Sequence, residues 1–263
     1  RGRVSALSFH PGAQSTSIYL ASGDSLGRVV VWDVSTGRPV ACLAPKDYLG
    51  TVGSSSTPAA VMSLSYVTAS YLLAILLQGS TLVLYDVKRR QPVYVKQLGE
   101  EYTLMRTNRA DARQVILANE RTGVFTNLTI RSLRSEKQIT FKRFQIGDGS
   151  LQLYDVRWAG GKRFEAIVLV LLERELIVFD VRYGTSLWSG GVRGDLSGLR
   201  RVVSLDWGVG RGGGGDCGAE GGSTQGMPTR VVVRHVGGEV SVWRLRGNAD
   251  YRLAGSWSTK DVG

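Results

Sequence analysis

The stretch GRVVVWDVSTGRPV, Gly27 to Val40, sends Val29 and Val31 to one side of an extended chain and Val30, Trp32 and Val34 to the other. Both sides are apolar, the pattern of a strand buried on two faces. Ser35-Thr36-Gly37 interrupts it with turn chemistry, and Pro39-Val40 begins a second extended piece. The local reading is a hairpin.

The same pattern recurs. GSTLVLYDVKRRQPV (Gly79 to Val93) places Tyr85-Asp86 where Trp32-Asp33 stood, and ERELIVFDVRYGTSL (Glu173 to Leu187) places Phe179-Asp180 there. GGEVSVWRLRGN (Gly237 to Asn248) offers Trp243-Arg244, and the fainter TGVFTNLTIRS (Thr122 to Ser132) puts Leu128 at the aromatic position. The intervals are near or above the roughly 40–45 residues of a four-stranded propeller blade. Two further extended runs precede each copy and one follows it. LQLYDV, at Leu151 to Val156, mimics a third strand, but that placement leaves half-blade gaps, so it is assigned as a first strand. The expectation is all-β: a β-propeller of four-stranded antiparallel blades, about five of them present, spanning about 4–44, 61–98, 102–146, 151–192 and 200–258.

VVVWDVSTGRPV, LVLYDVKRRQPV and LIVFDVRYGTSL resemble the WD-repeat family. The resemblance implies a β-propeller, usually of seven blades, so that five blades would form part of a seven-bladed ring completed by segments outside this chain. No Gly-His dipeptide opens a blade and a single Trp-Asp pair survives, so the family's histidine network is not expected. The order of strands from YLASGDSLGRVVVWDVSTG to GEVSVWRLR is similar to the first propeller of the WD repeat-containing protein eleven family. That likeness implies a second propeller in the parent chain and a place in vesicle capture at the trans-Golgi and in ciliary signalling.

The 263 residues include two cysteines and two histidines, too few for a disulfide framework, and Cys42 and Cys217 match no zinc-ligand spacing. A reduced setting, cytosolic or nuclear, is expected from the residues, and a cytoplasmic one, peripheral to Golgi or vesicles, if the resemblance holds. The apolar runs, such as AIVLVLL at Ala166 to Leu172, are too short to cross a bilayer as helices. The chain does not begin with methionine, and it is expected to be a piece of a longer one.

No catalytic constellation emerges. His10, beside Pro11, and His235, at a strand end, are expected to be structural. Gly208 to Gly213 satisfies GxGxxG, but the glycines run on into more glycine rather than opening a helix, so 208–226 is expected to be a flexible insertion. Asn127-Leu128-Thr129 is a glycosylation sequon with meaning only in a secreted protein. No enzyme, cofactor or metal is expected.

The net charge of +11 favours acidic partners in general. Sorting the turns by the end of the sheet they occupy concentrates that excess. The ends carrying the turns between second and third strands, and the links between blades, lean acidic. The opposite ends carry, between third and fourth strands, Arg38, Lys88, Arg89, Arg90, Arg131, Arg134, Lys137, Arg182 and Arg246. Solvated turn charge is one explanation; a docking rim for an acidic protein segment, an anionic membrane surface or nucleic acid is the other. Nucleic acid is disfavoured because the basic residues lack interleaved aromatics. The function expected is a non-catalytic protein-interaction scaffold in a membrane-trafficking assembly, with an anionic-lipid or nucleic-acid module as the alternative.

Overall fold

The computed structural model describes residues 2–10, 18–49, 59–67, 72–108, 110–111, 113–131, 138–146, 152–159, 165–172, 175–191, 202–208, 230–235, 239–246 and 250–258. These form five antiparallel four-stranded meanders. The first comprises β1 (Val4–Phe9), β2 (Tyr19–Asp24), β3 (Val29–Asp33) and β4 (Arg38–Leu43), followed by a one-turn helix α1 (Pro45–Leu49). The second comprises β5 (Val61–Tyr66), β6 (Leu72–Leu77), β7 (Thr81–Asp86) and β8 (Gln91–Gln97), and the third β9 (Leu104–Thr107), β10 (Gln114–Ala118), β11 (Val124–Ile130) and β12 (Ile139–Gln145). The fourth holds β13 (Leu153–Trp158), β14 (Ile167–Leu172), β15 (Glu175–Asp180) and β16 (Thr185–Gly191); the fifth holds β17 (Val202–Gly208), β18 (Arg230–His235), β19 (Glu239–Arg246) and β20 (Asp250–Ser258). LQLYDV thus contributes to a first strand, as its spacing required, since β13 pairs with β14.

The chain divides into two compact units, one of Arg1–Glu120 with Val124–Phe144 and one of Arg121–Gly123 with Gln145–Gly263. In the first unit the opening strands pack side by side, β1 on β5 and β5 on β9, and in the second β13 packs on β17. Side-chain alternation in β6 explains why its sequence is apolar throughout. Leu73, Ile75 and Leu77 join Val29, Val31 and Tyr85 in a core between the first and second sheets. Leu72, Ala74 and Leu76 turn the other way, joining Val115, Leu117 and Leu128 between the second and third. A residue buried on either side of such a strand contributes about 1.5–3 kcal/mol of transfer free energy.

The recurring bulky positions occupy one slot. Trp32 lies opposite Leu20, Tyr85 opposite Leu73, Leu128 opposite Val115, Phe179 opposite Val168 and Trp243 opposite Val231, in each case the second residue of the second strand. A register shift sits beside this slot at Val31/Trp32, Leu84/Tyr85, Val178/Phe179 and Val242/Trp243. Such a bulge increases the local twist of the outer strand pair.

Hydroxyls join the opening strands where histidines were not expected. Ser5 Oγ donates to the Val61 carbonyl at 2.6 Å, the Tyr66 N–H donates to Ser8 Oγ at 3.2 Å, and the Ser65 and Thr107 hydroxyls meet at 2.8 Å. The helix α1 has no counterpart in the sequence reading, which placed its residues in an interblade link. Its Tyr48 is buried and its hydroxyl donates to the Gly27 carbonyl, tying the link to the β2–β3 turn.

Candidate functional site

In the first, second and fourth blades the aspartate after the bulky anchor organises the turn that carries the basic residues. Asp33 Oδ1 accepts the Ser35 N–H at 2.9 Å, Asp86 Oδ1 accepts the Arg89 N–H at 2.9 Å, and Asp180 Oδ1 accepts the Arg182 N–H at 2.8 Å. These are side-chain-closed turns in which the carboxylate substitutes for a backbone acceptor. Four residues after the aspartate each chain enters the left-handed region, at Gly37 with φ 66°, Arg90 with φ 56° and Gly184 with φ 76°. Glycine adopts this conformation freely, whereas a residue with a Cβ pays about 1 kcal/mol. The second blade therefore holds an arginine where its two sister turns hold glycine.

The structure places the expected basic residues unequally. Arg38 opens β4 and is exposed. Lys88, Arg89 and Arg90 are all exposed in the β7–β8 turn, where Arg89 Nε approaches Asp86 Oδ2 at 3.8 Å. Among the described residues no ion-pair partner stands beside Lys88 or Arg90. Arg131, exposed just beyond β11, donates its N–H to the Gln138 carbonyl. In the second unit Arg182 reaches Glu165 Oε1 at 3.5 Å and lies over the Tyr183 ring at 5.9 Å. Arg246 closes β19. Arg134, Lys137 and the glycine-rich stretch after Gly208 lie outside the described residues.

Lys88 and Arg90 border a cavity of about 280 Å³ between the first and second sheets. Its floor is Val31 and Tyr66, both buried in the core between those sheets; Tyr19 and Val87 form walls, and Val40 stands exposed at the mouth. Tyr66 is 3% exposed, and among the described residues its hydroxyl has no hydrogen-bond partner. Burial, reinforced by the neighbouring Tyr19, raises its pKa far above the ordinary tyrosine value, so it remains a donor. A buried hydroxyl without a partner costs roughly 1–3 kcal/mol. His10 braces both tyrosines, its ring edge-on to Tyr66 at 4.9 Å and to Tyr19 at 6.4 Å, and burial lowers its pKa. This packing gives His10 a structural role. Tyr19, Tyr66, Val31, Val40 and Val87 were not expected from sequence to line a site; the signal within reach was Arg90 standing in the slot of Gly37 and Gly184.

No three His, Cys, Asp or Glu side chains come together to hold a metal among the described residues. Asn127 of the sequon lies within β11 and is buried.

The chain is similar in structure to the Cps50 (Swd1) β-propeller domain of Myceliophteria thermophila, with a TM-score of 0.66 and 13% identity over 100% of this chain and 73% of that one. The fold is that of a β-propeller. Sqt1 of Saccharomyces cerevisiae gives a TM-score of 0.66 at 14% identity, over 99% of this chain and 64% of that one. A chain of the mitotic checkpoint complex gives 0.61 at 13%, over 90% and 60%. The propeller described here thus spans less than two thirds of the latter two chains, and at these identities the likeness is one of fold. No family model matches the sequence, and no curated protein does.

Proposed function

We propose that this propeller is a non-catalytic scaffold whose basic turns dock acidic segments of partner proteins. The observation that carries the reading is the β7–β8 turn, where exposed Lys88 and Arg90 stand without an ion-pair partner among the described residues. An arginine pairs bidentately with a carboxylate and a lysine supplies a compact charge, so a carboxylate-bearing chain complements both. The repeat-built fold supports a binding role, because a propeller rim presents many loops on a rigid frame.

The strand-order likeness to the WD repeat-containing protein eleven family supports a finer reading, a trafficking assembly at the cytoplasmic face of Golgi membranes or vesicles. Further blades, or a second propeller, would then lie elsewhere in the parent chain. A tagged full-length parent that does not colocalise with trans-Golgi markers would remove this finer reading and leave the scaffold reading intact.

The scaffold reading is tested by titrating a labelled glutamate-rich peptide against the wild-type chain and against a variant with Lys88, Arg89 and Arg90 all changed to Glu. Charge reversal is expected to weaken binding by at least about tenfold, roughly 1.4 kcal/mol. Unchanged affinity excludes this turn as the site. Binding by vesicles containing anionic lipid, with none by the peptide, would replace the protein partner with a membrane surface.

A further inference from the structure

The cavity beside the basic turn combines features that a surface for charge alone does not need. It has an apolar floor at Val31, an apolar mouth at Val40, the buried Tyr66 hydroxyl with no partner among the described residues, and two cations at one edge. Arg90 holds its place there in a left-handed conformation that glycine fills in the sister turns. Backbone strain of this kind clusters at binding and catalytic sites.

We propose that this interblade cavity is a specificity pocket for a partner segment in which an apolar side chain stands directly beside carboxylates. The apolar side chain enters between Val31 and Val40, the carboxylates pair with Lys88 and Arg90, and the Tyr66 hydroxyl donates to an oxygen of the entering segment. Charge complementarity selects a protein segment of this chemistry over a neutral one, and the cavity's volume of about 280 Å³ suits one large side chain rather than an extended ligand. The inference rests on the scaffold reading and adds to it a requirement for the apolar residue.

The test uses fluorescence polarisation with three labelled peptides in a Gly-Ser background. One carries a leucine flanked by glutamates, one has serine in place of that leucine, and one has glutamines in place of the glutamates. The leucine-glutamate peptide is expected to bind about tenfold or more tightly than either control, the return for burying one aliphatic side chain beside a charge pair. Val40→Trp, at the exposed mouth, is expected to abolish the preference for leucine over serine. Tyr66→Phe and Arg90→Gly are expected to weaken the leucine-glutamate complex severalfold, and Arg90→Gly to do so with a melting temperature unchanged or raised.

Equal binding of the leucine and serine peptides would overturn the pocket and leave the basic-rim reading standing. Equal binding of the glutamine peptide would overturn the pairing with Lys88 and Arg90. If no glutamate peptide binds, the pocket falls together with the reading beneath it.

Discussion

The indole Nε1 of Trp32 donates to the Ser22 hydroxyl at 2.8 Å across the β2–β3 pair. The bond holds the half-buried anchor of the first blade against its own sheet. Trp32→Phe keeps most of the apolar area and removes the donor, leaving Ser22 only its longer bond to the Val30 carbonyl at 3.4 Å. A loss of about 1 kcal/mol is expected, the usual worth of one such bond, measured as a lower denaturant midpoint with an unchanged slope.

Gly23 of β2 leaves no room for a side chain. A Cβ there would meet Val61 Cγ1 at 2.5 Å, because the first sheet lies that close to the opening strand of the second. Gly23→Ala is expected to cost about 1–3 kcal/mol through overpacking. Shortening the neighbour in Gly23→Ala with Val61→Ala is expected to recover part of that loss, and a cycle of the two variants measures the coupling.

The Asp86 carboxylate closes the turn that presents Lys88 and Arg90 through its bond to the Arg89 N–H. Asp86→Ala is expected to lower stability by about 0.5–1.5 kcal/mol and to weaken the acidic peptide more than that modest change suggests, because the turn loses its fixed shape. Hydrogen exchange at the Arg89 amide, faster in the variant, is the direct readout.

His10 supplies a pH dependence. Burial between the tyrosine rings favours its neutral form and places its folded pKa below the ordinary 6.5. The unfolded chain then binds more protons below that value, so its contribution is intact above pH 6.5 and is lost as pH falls through the window beneath it. His10→Gln is expected to flatten this part of the profile of melting temperature against pH, relative to wild type.

The fold was open to sequence reasoning because its signal is periodic. Trp32, Tyr85, Leu128, Phe179 and Trp243 fall in one register slot, and β6 announces its burial on two faces by lacking polar residues. The short helix at Pro45–Leu49 was not open to it, since one turn of helix has no period and is held by the distant contact of Tyr48 with Gly27. The cavity was hidden for a related reason. Tyr19 and Val31 belong to the first sheet, Tyr66 to the second and Lys88 to a turn of the second, and the spacing of residues along a chain does not say which side chains from neighbouring blades will leave a gap. The charge of the β7–β8 turn was evident; that no counter-ion stands beside Lys88 or Arg90 among the described residues required coordinates.

The most direct measurement places a photo-crosslinking residue at one end of the second blade or at the other, and exposes each protein to the leucine-glutamate peptide. One site is position 88, in the basic β7–β8 turn; the other is exposed Gln78, in the β6–β7 turn at the opposite end of the sheet. The account predicts a peptide adduct from position 88 that unlabelled peptide competes away, and none from position 78. Adducts from position 78 alone, or equally from both, would contradict it.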